Sequence, residues 1–106
     1  MHTLRIDATL KPGKKDEFIQ AWHSQVLPVL KKQTGFVDEI ILYDEATHSG
    51  TGISLWKSRK DAEHYQNNVF NQAKSPVEHL LVGPPTVRSY EVLASETFHV
   101  SSAKAA

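Results

Sequence analysis

Residues 36–43 constrain the fold more than any other stretch. Read as an extended segment, they set Phe36, Ile40 and Leu42 on one side and Val37, Ile41 and Tyr43 on the other, because successive strand side chains point to opposite faces. A sheet with one wet face alternates apolar and polar positions, so a strand that is apolar on both sides needs cover on both. A chain of 106 residues suits one hydrophobic core, and its helices can cover one face. A second copy, meeting the first sheet to sheet in a closed twofold dimer, is the expected cover for the other. Residues of the C-terminal tail, such as Phe98, are the alternative cover.

The flanking sequence supplies the other elements. Leu4, Ile6, Ala8 and Leu10 alternate with Thr3, Arg5, Asp7 and Thr9, the period-two pattern of a strand. Pro12 and Gly13 stop it. A helix is predicted from about Lys14 to Lys32, with Phe18, Trp22, Val26 and Leu30 as its apolar stripe. Pro28 removes a backbone donor to the carbonyl of Ser24, which predicts a kink there or a break into two segments. Residues 52–57 read as a third strand after a hairpin loop over 44–50. Ser58 and Asp61 resemble a capping box that opens a second helix. Its stripe is Ala62, Tyr65, Val69 and Ala73, with Phe70 beside it, and Ser75 and Pro76 end it. Residues 77–82 form a short apolar stretch of one helical turn, and 86–93 the last strand. The composition from Ala94 onward is that of a mobile or docking tail. The domain is therefore expected over 1–93 and the tail over 94–106. The order strand, helix, strand, strand, helix, strand is the α+β, ferredoxin-like split βαβ arrangement, a four-stranded antiparallel sheet with two helices on one face.

Composition removes several function classes. Twelve basic residues balance twelve acidic ones, whereas phosphate binding needs a basic surplus on one face, so nucleic acid is not an expected partner. The absence of cysteine excludes a disulfide framework, a thiolate metal site and a cysteine nucleophile. The longest purely apolar runs are about four residues, against the roughly 20 that a membrane helix needs. The first residues lack the basic stretch and apolar run of a secretory leader, and a cytoplasmic protein is expected. No histidine pair has zinc spacing, no serine sits in an elbow motif, and no glycine-rich nucleotide fingerprint occurs.

Several stretches together resemble the antibiotic-biosynthesis-monooxygenase-type domain of the dimeric α+β-barrel superfamily. They are Leu4-Arg5-Ile6 leading to Lys11-Pro12-Gly13-Lys14, Gly35-Phe36-Val37, and Ile53-Ser54-Leu55-Trp56-Lys57-Ser58 running into Asp61-Ala62-Glu63-His64-Tyr65. Phe70, Pro85, Val87 and Tyr90-Glu91-Val92 complete the series, which covers about residues 2–93. The resemblance implies a homodimer through sheet faces and a small pocket between each sheet and its helices. It also implies a small aromatic or hydrophobic ligand. Some relatives oxidise phenols or quinols with O2 and no prosthetic group, and others cleave haem. The haem-cleaving pattern needs an Asn in the first strand and a proximal His on the second helix. Here the first strand has no Asn and Lys74 falls at the position of that His, so no cofactor and no metal are expected. Relatives acting on aromatic polyketides often carry an Asn where this chain has Gly52.

Oxygenation without a cofactor needs an electron-rich substrate, a base to deprotonate it, a fixed pose and a dry pocket. Histidine is the natural base near neutral pH. His64 is the candidate base and Trp56, at the end of the third strand, the candidate orienting residue. Each has a plainer reading, Trp56 as core and His64 as a solvated helix position. Tyr65, Trp22, Phe70 and Arg88 are the further candidates for substrate contact, although core packing suits Tyr65, and Arg88 shares a strand face with Tyr90. Arg5 and Asp7 read as an ion pair on the sheet surface. The leading function is thus a cofactor-independent monooxygenase acting on an aromatic or quinol-type molecule. The alternative is a non-catalytic ligand-binding or dimerisation domain of the same fold.

Overall fold

The computed structural model describes residues 1–101. Strands β1 (His2–Thr9), β2 (Phe36–Asp44), β3 (Ser49–Trp56) and β4 (Thr86–Glu91) form one sheet in the order β2-β3-β1-β4. Every neighbouring pair is antiparallel. The helical segments α1 (Lys15–Ala21), α2 (Leu27–Lys31), α3 (Arg59–Asn68) and α4 (Phe70–Lys74) pack on one face. This is the expected ferredoxin-like α+β architecture. No helix is long and apolar enough to cross a membrane among the described residues.

The first helical run differs from expectation at Pro28. The irregularity comes before the proline, as a π turn over Trp22–Val26 in which the Leu27 N–H reaches back to the Trp22 carbonyl. One extra residue per turn moves Pro28 to the first positions of α2, where a missing N–H leaves no bond broken. The run therefore continues to Lys31 without a break, and its widened turn sets Trp22 and Val26 inward, both buried.

Ser58 caps α3 as the sequence suggests, its hydroxyl accepting from the Asp61 N–H at 3.1 Å. The second run is interrupted at Val69. There the Asn68 side-chain amide donates to the His64 carbonyl at 3.0 Å and competes with the helix ladder. Residues 78–80 make the short helical turn expected after it, as a 3-10 turn.

The strand that constrained the fold contains a bulge. Phe36 pairs with Trp56 while Asp38 pairs with Leu55, so Val37 is an extra residue. A bulge shifts the alternation by one. Phe36 therefore joins Glu39, Ile41 and Tyr43 on the helix-covered face, against the expectation that it shares a side with Ile40 and Leu42. Ile40 and Leu42 lie on the helix-free face with Tyr90, at 46%, 50% and 44% exposure. Of the expected tail, residues 94–101 form a small hairpin in which β5 (Ala94–Ser95) pairs with β6 (Val100–Ser101). The remainder, 102–106, lies outside the described residues.

Candidate functional site

Between the sheet and the helices lies a cavity of about 300 Å3, the lower end of the size range of small-molecule sites. Register explains why it exists. On the helix-covered face, β3 carries Gly52 opposite Ile6 and Ile41, and Gly50 opposite Ala8 and Tyr43. Two missing side chains and one methyl leave a hollow floor. Phe18, Trp22, Tyr65 and Phe70 wall it from the helices.

Charged side chains interrupt this mostly apolar lining: Lys15, Asp16 and Lys74 from the helices and Glu39 from the sheet. Glu39 of β2 faces inward beside Ile41, and its Oε1 lies over Gly52, 3.1 Å from where a β-carbon would stand. Burial in the cavity, with a smaller contribution from the Asp38 carboxylate, pushes its pKa up to about 7. No side-chain hydrogen bond among the described residues offsets that burial. A carboxyl group in this state exchanges a proton near neutrality, which is the requirement for a general base or acid. The Tyr65 hydroxyl is 3% exposed as a residue and is pushed well above the ordinary phenol range by burial, then by the charge of Glu39. It stays a neutral phenol.

The candidate residues divide. Trp22, Tyr65 and Phe70 line the cavity. Trp56 does not. It is 0% exposed, packed edge-to-face against Phe36 and tilted against Tyr65 with ring centroids 5.6 and 5.0 Å away, and its indole N–H donates to Ser54 Oγ at 2.8 Å. Its plainer reading as core describes its place, because it belongs to the buried cluster with Leu4, Ala62 and Tyr65. His64 is exposed and lies outside the cavity, in a shallow surface groove with Gln33, Thr34, Lys60 and Asp61. Its Nδ1 is 3.3 Å from the Asn68 amide nitrogen. The one-residue offset from Tyr65 rotates it about 100° around the helix, away from the sheet. Arg88 pairs with Arg5 across β1 and β4 on the helix-free face. It acts there on Asp7, whose carboxyl is held below its ordinary range by the Thr51 hydroxyl at 2.7 Å and by Arg5. None of these three reaches the cavity.

Sequence reasoning missed Glu39. The signal was present: at strand parity it belongs with Ile41 and Tyr43, a lone carboxylate on the apolar side. Gly52 is what gives it room. Gly52→Ala should displace the carboxylate toward the open side of the cavity and lower its pKa by about half a unit or more. An NMR titration of the Glu39 carboxyl carbon measures this directly.

The cavity does not fit haem. Its lining contains no His, Cys or Met, the usual ligands of haem iron besides Tyr. Tyr65 is driven away from ionisation, and the Tyr43 hydroxyl is 3.1 Å from His48 Nδ1. Among the described residues no three metal-ligating side chains converge elsewhere.

No family model matches the sequence, and no curated protein matches it. Solved structures do match. A Nitrosomonas europaea protein provisionally named an antibiotic biosynthesis monooxygenase superimposes with a TM-score of 0.70 at 19% identity, over 89% of this chain and 100% of that one. SnoaB from Streptomyces nogalater, a cofactor-independent oxygenase, gives 0.70 at 14% identity over 90% and 95%. The haem degrader MhuD from Mycobacterium tuberculosis, with two haems in its active site, gives 0.68 at 15% over 88% and 97%. With its sheet order, its helices on one face and its cavity between them, this chain has the fold of an antibiotic-biosynthesis-monooxygenase-type domain.

Proposed function

We propose that the protein is a homodimeric, cofactor-independent monooxygenase for a small aromatic molecule with an ionisable hydroxyl group, and that Glu39 removes the proton of that hydroxyl. The observation that carries this reading is a carboxylate with a pKa of about 7 in a mostly apolar cavity of about 300 Å3. A phenol or hydroquinone is stable toward O2 until deprotonation makes it electron-rich. Trp22, Tyr65 and Phe70 hold the ring and exclude water, and a dry site strengthens the contact between base and hydroxyl. The substrate supplies the electrons. In an anthrone, O2 reacts with the methylene carbon that the phenolate activates; one oxygen atom becomes a carbonyl in place of two hydrogens, and the other leaves with them as water. In a hydroquinone or dihydroxynaphthalene a ring C–H carbon takes one oxygen atom as a hydroxyl, the ring supplies two electrons and two protons in becoming the quinone, and the other oxygen leaves as water. The cofactor-independent activity of SnoaB, on the same fold, supports this reaction class.

Oxygen uptake with a panel of hydroquinones, anthrones and dihydroxynaphthalenes tests the reading. Uptake that equals product formation, without hydrogen peroxide, is the expected result. Calorimetric binding of these compounds with no uptake would replace the oxygenase by the ligand-binding alternative. His64→Ala should leave turnover within about twofold of the parent, as expected for a group outside the reacting site.

A further inference from the structure

The lining also carries two ammonium groups that the base does not use, those of Lys15 and Lys74. Lys74 closes α4 and lines the cavity with Phe70 and Val77. The chain then passes through the 3-10 turn to Leu81, which bridges Leu10, and on to β4. β4 is the opposite edge of the sheet from β2, the strand of Glu39. The carboxylate of Glu39 enters the cavity from the sheet and the ammonium of Lys74 from the end of α4. The Lys74 side chain is 22% exposed, and its Nζ is 5.9 Å from the Phe70 ring centroid. Its partner is Glu78 at 3.2 Å, itself half-exposed. An ammonium has three donors, and one exposed carboxylate satisfies only part of that capacity. The other ammonium at the cavity, Lys15, is half-exposed and is held by Glu45 at 2.7 Å.

We propose that Lys74 is the second anchor of the cavity, and that the preferred substrate is an aromatic molecule with an ionisable hydroxyl at one end and a carboxylate at the other. The proposal rests on the reading of the cavity as a ligand site. The ring system lies between Trp22 and Phe70, its hydroxyl meets Glu39, and its carboxylate accepts from Lys74 and completes the ammonium's pairing. A charge-assisted bond in a largely apolar site is stronger than one in water, so a ligand lacking the carboxylate forgoes a real contact.

Calorimetric titration with 2-naphthol and 6-hydroxy-2-naphthoate tests it. The hydroxynaphthoate should bind about tenfold more tightly than the naphthol, the factor expected of one charge-assisted hydrogen bond. Lys74→Met keeps the apolar stem and should bring the two affinities within about twofold of each other while the naphthol is held as before. Lys74→Arg should restore the preference. Glu78→Gln removes the surface competitor without touching the cavity and should tighten the hydroxynaphthoate about threefold. Equal binding of the two probes by the parent protein, or a preference that survives Lys74→Met, overturns the proposal and leaves the oxygenase reading intact. Binding of neither probe overturns both.

Discussion

Glu39→Gln is expected to lower oxygen-dependent turnover by about 10²–10⁴-fold, the usual contribution of a positioned base. Ligand affinity should stay within about tenfold, because the amide keeps the shape and loses only the proton acceptor. The same variant has a stability signature. Burial raises the folded-state pKa of Glu39 from 4.5 to about 7, so between those values the folded chain holds a proton that the unfolded chain has released. This contribution to stability is fully present below about pH 4.5 and is lost as pH rises through about 7, by up to about 3 kcal/mol. Glutamine has no proton to lose. Denaturant midpoints at about pH 5 and about pH 8 should therefore show Glu39→Gln gaining on the parent at the higher pH. An inactive variant without that gain would place the loss in altered binding rather than in a removed base. A variant with unimpaired turnover would remove Glu39 from the mechanism.

Ile40→Asp is expected to convert the protein from a dimer of about twice 11.9 kDa into a monomer. Ile40, Leu42 and Tyr90 stand out from the helix-free face at 46%, 50% and 44% exposure. Beside them lie the Arg5–Asp7 pair, 3.1 Å apart, and Arg88. A second sheet would bury the apolar side chains and enclose the Arg5–Asp7 pair. An aspartate at position 40 would become an unpartnered carboxylate inside that contact, which weakens association by about 10²–10³-fold. The position is exposed in the single chain, so the protomer should still fold. Light scattering at micromolar concentration reads the result, and circular dichroism confirms the fold. A parent protein that is monomeric, or a variant that remains dimeric, would remove this face as the interface.

Local signals carried most of the architecture. Period-two alternation located β1, Pro12 and Gly13 its end, Ser58 the start of α3, and Ser75 and Pro76 the end of α4. Each depends on the geometry of a few neighbouring residues, which a linear reading contains. The apolar stripes also set Trp22 and Tyr65 on the inner sides of their helices, where both line the cavity; Phe70, beside its stripe, joins them after the interruption at Val69. What local spacing could not supply was register. The extra residue at Val37 exists only relative to β3, and it changes the face on which Phe36 stands. The widened turn at Trp22–Val26 absorbs Pro28 because the helix packs on the sheet on both sides of it.

The site shows the same division. Trp56 and His64 are next to cavity residues in sequence but do not line it, since one is buried in the core behind Tyr65 and the other is turned out by a single step of the helix. Glu39 was visible as a charge among apolar neighbours, but its meaning comes from Gly52 on another strand and from the helices above. By itself the sequence determined the order of elements and the fold class, because hydrophobic periodicity and backbone restrictions act over a few residues. Only the tertiary structure decided where the hollow lies and which carboxylate is buried in it. A cavity is the space left where side chains from different strands and helices fail to meet, and a raised pKa follows from that burial.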